Sequence, residues 1–273
     1  MTVLTHAQPV SFLELEITTE CQLACLHCYS KSGPSGSTGT MTTRDWLEVI
    51  DEAVELGVET VQFIGGEPTM HQDFRALVTY ALDRGLKVAV YTNLLDTTPE
   101  LFDLFSQLRV TVSTSWYSAD MAKHGEVTRD PTSFERTRAN IVEALRRGID
   151  VKVGIVEVVD GQGAEQARAE LEALGITDIQ IDRTRAIGRA ARGRQPDVSE
   201  LCGKCGRGRA AIDTHGRLVP CVLGRFLVAG TVTETPLGEL LAGQRWDEIV
   251  TSVPGRSCVS CTPADSNDCD PSR

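Results

Sequence analysis

The sequence predicts an α/β fold: six strands alternating with helices to form a parallel sheet, followed by a small cysteine-rich extension. Three observations carry that reading. Between residues 11 and 183, short β-branched runs alternate with amphipathic stretches of helical length. Gly57, Gly85, Gly148 and Gly175 each stand just ahead of a run, where a glycine ends the preceding helix. The nine cysteines fall into an early group of three and a late group of six, with none between Cys28 and Cys202.

The runs expected as strands are 12–18, 59–65, 87–93, 109–115, 150–156 and 178–183, and helices are expected near 42–56, 70–84, 99–107, 131–147 and 163–174. Thr42 and Thr98 read as helix starts, the second because Pro99 follows it. Parallel neighbours need crossover connections, which are almost always right-handed. Six such units are too few for the common eight-fold barrel, which leaves an open doubly wound sheet or a curled, partial barrel. In either, chemistry belongs at the carboxyl ends of the strands. The early cysteines follow the first run, Gly65-Gly66-Glu67-Pro68 follows the second, and Thr92-Asn93 ends the third. Three unrelated motifs thus fall on one face. Residues 31–40 read as a flexible loop, and periodicity stops near 184–200. That break divides the chain into a unit at 1–183 and a second at 184–273.

With 273 residues, 41% of them hydrophobic and 24% charged, the chain has the make-up of a soluble globular protein with one sizeable core and an appendage. No apolar run approaches the roughly 18 residues of a membrane helix, and the start of the chain lacks a secretory pattern. The expectation is therefore a cytoplasmic protein without a membrane partner. A formal charge of −11 argues against nucleic acid, which needs a concentrated basic footprint. The local exception is Arg183, Arg185, Arg189, Arg192 and Arg194, read either as a solvated connector or as a contact for an anionic ligand.

Cysteine clusters in a reducing compartment read as metal or redox sites before disulfides. Cys21, Cys25 and Cys28 have the spacing Cys-x3-Cys-x2-Cys. Three thiolates on one loop can bind three irons of a [4Fe–4S] cube and leave the fourth open. Zinc is the alternative, but it favours a closed set of four ligands, and His27 is poorly spaced to complete one.

This triplet, with a ring residue (His27) before its last cysteine and Gly65-Gly66-Glu67-Pro68 after the next strand, resembles the radical SAM (S-adenosylmethionine) superfamily over about residues 12–183. The resemblance implies a partial (β/α)6 barrel. It also implies that the open iron chelates SAM, and that one electron from the cluster releases a 5′-deoxyadenosyl radical able to take hydrogen from an unactivated C–H bond. By the same resemblance His27, Gly65, Gly66, Glu67, Pro68, Thr92, Asn93, Ser113 and Gly154 contact SAM, and a reduced flavodoxin or ferredoxin supplies electrons. Ordinary strand packing is the alternative for Thr92, Asn93, Ser113 and Gly154.

The late cysteines are Cys202, Cys205, Cys221, Cys258, Cys261 and Cys269. The step Cys-x10-Gly-x4-Cys from Cys205 to Cys221 resembles the SPASM/twitch extension of one radical SAM subgroup, in which a hairpin and a cysteine-rich segment hold auxiliary clusters. Residues 211–213 and 218–219 flank Thr214-His215-Gly216 as a hairpin would. Six cysteines and a short tail suit one auxiliary cluster on Cys202, Cys205, Cys221 and Cys261, with Cys258 or Cys269 as other choices for the fourth ligand. A structural zinc on the same residues is the alternative. Cys269 is the candidate spare thiol, a hydrogen donor if the enzyme is an epimerase.

What the resemblance implies for function is oxidative or crosslinking maturation of a ribosomally made peptide, in natural-product biosynthesis. The alternative is a dehydrogenase or epimerase of an aminoglycoside or cyclitol. A non-enzymatic iron–sulfur redox sensor is more distant, since a sensor has no need of a SAM site. With 20 residues ahead of Cys21, any leader-peptide-binding domain is expected on a separate protein. Trp116 and Tyr117, at the mouth of the fourth strand, either line the substrate pocket or pack a loop.

Overall fold

The six runs pair in sequence order, as parallel neighbours, in one sheet. A computed structural model, describing residues 9–255, gives β1 (Phe12–Thr18), β2 (Thr60–Gly65), β3 (Lys87–Tyr91), β4 (Val110–Trp116), β5 (Val151–Glu157) and β6 (Asp178–Arg183). The crossovers carry α1 (Thr43–Glu55), α2 (Phe74–Asp83), α3 (Pro99–Phe105), α4 (Met121–Thr128), α5 (Ser133–Arg146) and α6 (Ala164–Leu174). Helix α1 shows why the sequence folds so. Thr42 accepts from the Asp45 N–H while Asp45 caps the Thr42 N–H, and Trp46, Val49, Ile50 and Ala53 then fall on one buried stripe.

After residue 183 the chain returns to the sheet. β7 (Arg209–Ile212) pairs parallel with β1, and β8 (Arg217–Val219) and β9 (Gly230–Thr231) follow antiparallel, giving the order β6-β5-β4-β3-β2-β1-β7-β8-β9. The expected hairpin forms at β7–β8, with the Gly216 N–H donating to Asp213 O across the turn. The described part of the extension therefore continues the sheet past β1. Its helices α7 (Leu237–Leu241) and α8 (Gln244–Ser252) pack Leu237 and Trp246 into the main core.

Three expectations need adjustment. Helix α4 was not anticipated, because eight residues containing Gly125 and four polar side chains carry little periodicity. Helix α2 begins at Phe74 instead of residue 70, because Pro68–Met70 forms a separate 3₁₀ turn. Strand β3 stops at Tyr91, two residues early, because the Asn93 N–H turns aside to donate to Glu67.

The two faces of the sheet differ in chemistry. Along β1, Leu13, Leu15 and Ile17 are fully buried in the main core. The alternate residues Glu14, Glu16 and Thr18 point the other way and are buried as well. A parallel sheet covered on both faces ordinarily reads as continuous hydrophobics. The charged residues on this second face mark it as a functional interior. Leu15→Ala should cost about 2–5 kcal/mol of stability by leaving a cavity. In chemical denaturation, Leu108→Ala, at a side chain 90% exposed, should leave the midpoint almost unchanged.

Candidate active site

The loop after β1 carries Cys21, Cys25 and Cys28, all free thiols. No helix or strand contains it, so its shape depends on its attachments. The Cys21 N–H donates to Gly33 O (3.1 Å), and the Gly33 N–H to Thr19 O (3.2 Å). Its middle is tied to the end of α4, with the Ala24 and Leu26 N–H groups donating to Thr128 O and Val127 O. From beyond β6, Arg189 reaches back: Nε donates to Cys25 O (2.8 Å), Nη2 to Ser32 O (2.7 Å), and the backbone N–H to Cys28 O (3.0 Å).

The Gly65-Gly66 turn presses on the same loop. A Cβ on Gly66 would stand 2.1 Å from Glu20 O, far inside contact distance. Glycine is required there by the backbone of the cysteine loop itself. Glu67 is fully buried, and its carboxylate accepts from Thr69 Oγ1 (2.8 Å), Thr92 Oγ1 (2.8 Å), the Asn93 N–H (2.7 Å) and the Thr69 N–H (3.2 Å). Burial pushes this carboxyl up, and four donors oppose that by favouring its ionised form. Glu67 thereby ties the turn after β2 to the end of β3.

One cavity opens at the carboxyl ends of the strands. Cys21, Cys25, His27, Cys28, Gly65, Gly66, Asn93 and Gly154 line it, together with Tyr91, Ser115 and Tyr117. Of the residues expected to contact SAM, Glu67, Pro68, Thr92 and Ser113 do not line this cavity, and all four are buried. Glu67 spends its carboxylate on Thr69, Thr92 and the Asn93 N–H, and Thr92 Oγ1 donates to it while accepting from the Leu94 N–H. Tyr117 lines the cavity, whereas Trp116 packs on His124 and Phe134 with ring centroids 4.4 and 4.9 Å away. The far wall bears Glu16 and Arg225, paired through two contacts of 3.1 Å.

Sequence reasoning missed Tyr91, His124, Glu16 and Arg225, and met Arg189 only as one member of the arginine cluster. Arg189 had a signal in the arginine cluster, and Tyr91 in its place before Thr92. His124 had none, since α4 was not recognised. Burial lowers both His27 and His124 to about 4, with Arg189 adding to the effect on His27, so both rings are neutral at physiological pH. Two others of the cluster form ion pairs: Arg185 with Asp182 (2.8 Å) and Arg183 with Glu200 (2.9 Å).

Among the described residues no three His, Cys, Asp or Glu side chains converge tightly enough for a single metal ion. A cube has a separate iron for each thiolate and needs no such convergence. The triad also meets donors suited to an anionic sulfur: the Leu23 N–H and Asn93 Nδ2 approach Cys21 Sγ at 3.4 and 3.7 Å, and Ser30 Oγ lies 3.4 Å from Cys28 Sγ. These residues fit an iron–sulfur cube.

The late cysteines within the described residues gather in a second apolar cluster. Cys202, Cys205 and Cys221 pack with Ile187, Leu201, Leu223 and Val253, and Tyr29 of the triad loop packs against them. Cys205 Sγ and Cys221 Sγ are 2.7 Å apart, and Cys202 is disulfide-bonded. Cys258, Cys261 and Cys269 lie outside the described residues. His215 is exposed at the hairpin turn beside Thr40.

A family model described as the Radical SAM superfamily matches residues 15–172. The chain belongs to the radical SAM superfamily. Among curated relatives, an AdoMet-dependent heme synthase of Methanosarcina barkeri is 35% identical over 133 residues, which is 48% of this chain and 38% of that protein. The mycofactocin maturase MftC of Mycolicibacterium smegmatis is 33% identical over 183 residues, 66% of this chain and 46% of that one. The matched part is thus under half of either relative's length. Among solved structures, Streptococcus suis SuiB bound to its precursor peptide SuiA shares the fold with a TM-score of 0.75 at 14% identity, covering 89% of this chain and 67% of SuiB. Superfamily members use SAM and a [4Fe–4S] cluster. Among the described residues no helix is long and apolar enough to cross a membrane.

In the metal-free protein, burial pushes the Cys21 and Cys25 thiols up to about 12, the neighbouring cysteines adding to the effect. Both are protonated at neutral pH and must ionise to bind metal. Ferrous iron added to the metal-free chain should therefore release at least two protons. The apparent affinity should rise as pH rises, by about tenfold per pH unit for each proton lost. A pH-stat titration measures this, and Cys21→Ala/Cys25→Ala should abolish most of the release.

Proposed function

We propose that this chain is a peptide-modifying radical SAM enzyme in which Cys21, Cys25 and Cys28 hold a [4Fe–4S] cluster and SAM occupies the cavity beside them. One observation carries the reading: three free thiols line a single cavity with the Gly65-Gly66 turn, Asn93 and Gly154, at the carboxyl ends of parallel strands. When bound, the pair supplies hydrogen-atom abstraction from an unactivated C–H bond. The chain's own residues bind, orient and exclude water. Gly65 and Gly66 offer backbone to the ligand, His27 offers a neutral ring face, and Glu67 with Thr92 fixes the wall from behind. Tyr91, Ser115 and Tyr117 complete the lining, where water would otherwise quench a reactive species.

An auxiliary cluster is the second part of this reading, held by Cys202, Cys205 and Cys221 with a fourth thiolate from Cys261, Cys258 or Cys269. The burial of Cys205 and Cys221 with their sulfurs together supports it. On this view the unit at 184–273 is the auxiliary-cluster domain. A reduced flavodoxin or ferredoxin in the cytoplasm would donate electrons, and a separate protein would present any leader peptide. The maturase relative and the SuiB fold support a peptide substrate. An aminoglycoside- or cyclitol-type substrate is the competing outcome, with Cys269 as hydrogen donor if the product is an epimer.

Anaerobically reconstituted chain should carry about eight irons and lose about half in the Cys21→Ala/Cys25→Ala/Cys28→Ala variant. About four irons with stoichiometric zinc would remove the auxiliary cluster and leave the first site intact.

With dithionite the enzyme should cleave SAM to 5′-deoxyadenosine and methionine. Cys25→Ala should abolish cleavage, whereas Cys221→Ala should keep it and lose product. A short peptide co-expressed from a neighbouring gene should emerge two hydrogens lighter per modification by mass spectrometry. An unchanged peptide alongside a consumed aminoglycoside or cyclitol would refute the peptide assignment.

A further inference from the structure

We propose that Arg189 sets the reduction potential of the cluster held by Cys21, Cys25 and Cys28, by placing an uncompensated positive charge against the loop that carries them. The inference rests on the iron–sulfur reading of the triad. Its geometric basis is independent of any ligand. Gly188 packs so close to the loop that a Cβ there would lie 2.3 Å from Tyr29 O, which brings the next residue against the loop. Arg189 then spans the loop, from Cys25 O at 2.8 Å to Ser32 O at 2.7 Å, and its side chain lines the cavity.

The charge state distinguishes this arginine from its neighbours. Two arginines line the cavity. Arg225 is neutralised by Glu16 through two 3.1 Å contacts. Arg189 spends its donors on backbone carbonyls, and among the described residues no carboxylate pairs with it. A strap needs only donors, and neutral side chains supply those. A full positive charge does something further.

One-electron reduction of the cube adds one negative charge, with no bond made or broken and no proton required. The electron comes from an external one-electron donor, dithionite in the test below. A fixed cation at the loop is attracted more strongly to the reduced cube than to the oxidised one, and partial burial preserves that difference from screening. The potential is thereby raised. On a chain of formal charge −11, whose overall field opposes an added electron, a local cation acts against that field.

The test uses the full chain, anaerobically reconstituted, with the midpoint potential read by EPR-monitored redox titration in the absence of SAM. Arg189→Gln should lower the reduced-to-oxidised ratio at fixed poise about tenfold, which is a shift of about 59 mV to more negative potential. Arg189→Lys keeps the charge and should hold most of the wild-type value. A purely structural strap would instead lose melting temperature or iron in both variants without moving the potential. Wild-type potential in fully loaded Arg189→Gln overturns the proposal, as does an equal shift in the Lys and Gln variants. Should Arg189→Gln fail to load iron, Arg189→Lys decides alone: a held potential despite a lower melting temperature supports the charge, and a fallen potential overturns it. An undiminished iron content in the Cys21→Ala/Cys25→Ala/Cys28→Ala variant would refute the triad assignment itself, which is a separate result.

Discussion

Three thiols that must face one cavity sit on a loop with no helix or strand to hold it, and the rest of the site is organised around fixing that loop. The fixing is done by backbone contacts and by one arginine side chain. Strand β1 delivers the loop, the Gly65-Gly66 turn presses on its start, the end of α4 accepts its middle N–H groups, and Arg189 ties its carbonyls from the far side. The Leu23 N–H and the side chains of Ser30 and Asn93, 3.4–3.7 Å from the sulfurs, add polar contacts without bearing the load of shape. Such an arrangement tolerates changes in substrate-facing residues while the loop itself stays put.

That constraint explains an unexpected division of labour in the glycine-rich turn. By resemblance, Gly65-Gly66-Glu67-Pro68 acts on the ligand. Here the first pair has room neither for Cβ nor for a different path, because Thr18 and Glu20 lie against it. Glu67 acts behind the wall, joining two strand ends through four accepted hydrogen bonds. Removing one partner of such a buried network leaves donors without acceptors, typically a cost of about 1–3 kcal/mol each. The motif is thus part of the scaffold before it is part of a binding surface.

Much of the fold was legible because its signals are local. Strand alternation, four terminal glycines with positive φ and the Thr42 and Thr98 caps are each encoded within a few residues. The cysteine triad was legible for the same reason. Contacts spanning the chain were not. Arg189 acts on Cys25 across 164 positions and Arg225 on Glu16 across 209, and no local signal names the partner of either. Helix α4 was illegible for a different reason: it is short, and its buried face includes His124 and Thr128, residues that read as surface.

The position of the second cysteine group has a mechanical consequence. β7 pairs with β1, the strand that delivers the triad loop, and Cys205 and Cys221 flank the β7–β8 hairpin. Glu14 on β1 accepts from the Val222 N–H at 3.0 Å, just past Cys221, and Glu16 holds Arg225 three residues further on. Two buried carboxylates on one strand therefore anchor the late segment to the base of the early one. Tyr29, one residue beyond Cys28, packs into the late cluster from the other side. A displacement at either cysteine group is thus transmitted through β1 and Tyr29 to the cavity between them, since close-packed interiors pass strain on instead of absorbing it. Any oxidation or loss of the late thiols would then be felt at the cavity wall, through Val222, Leu223 and Arg225, which line it.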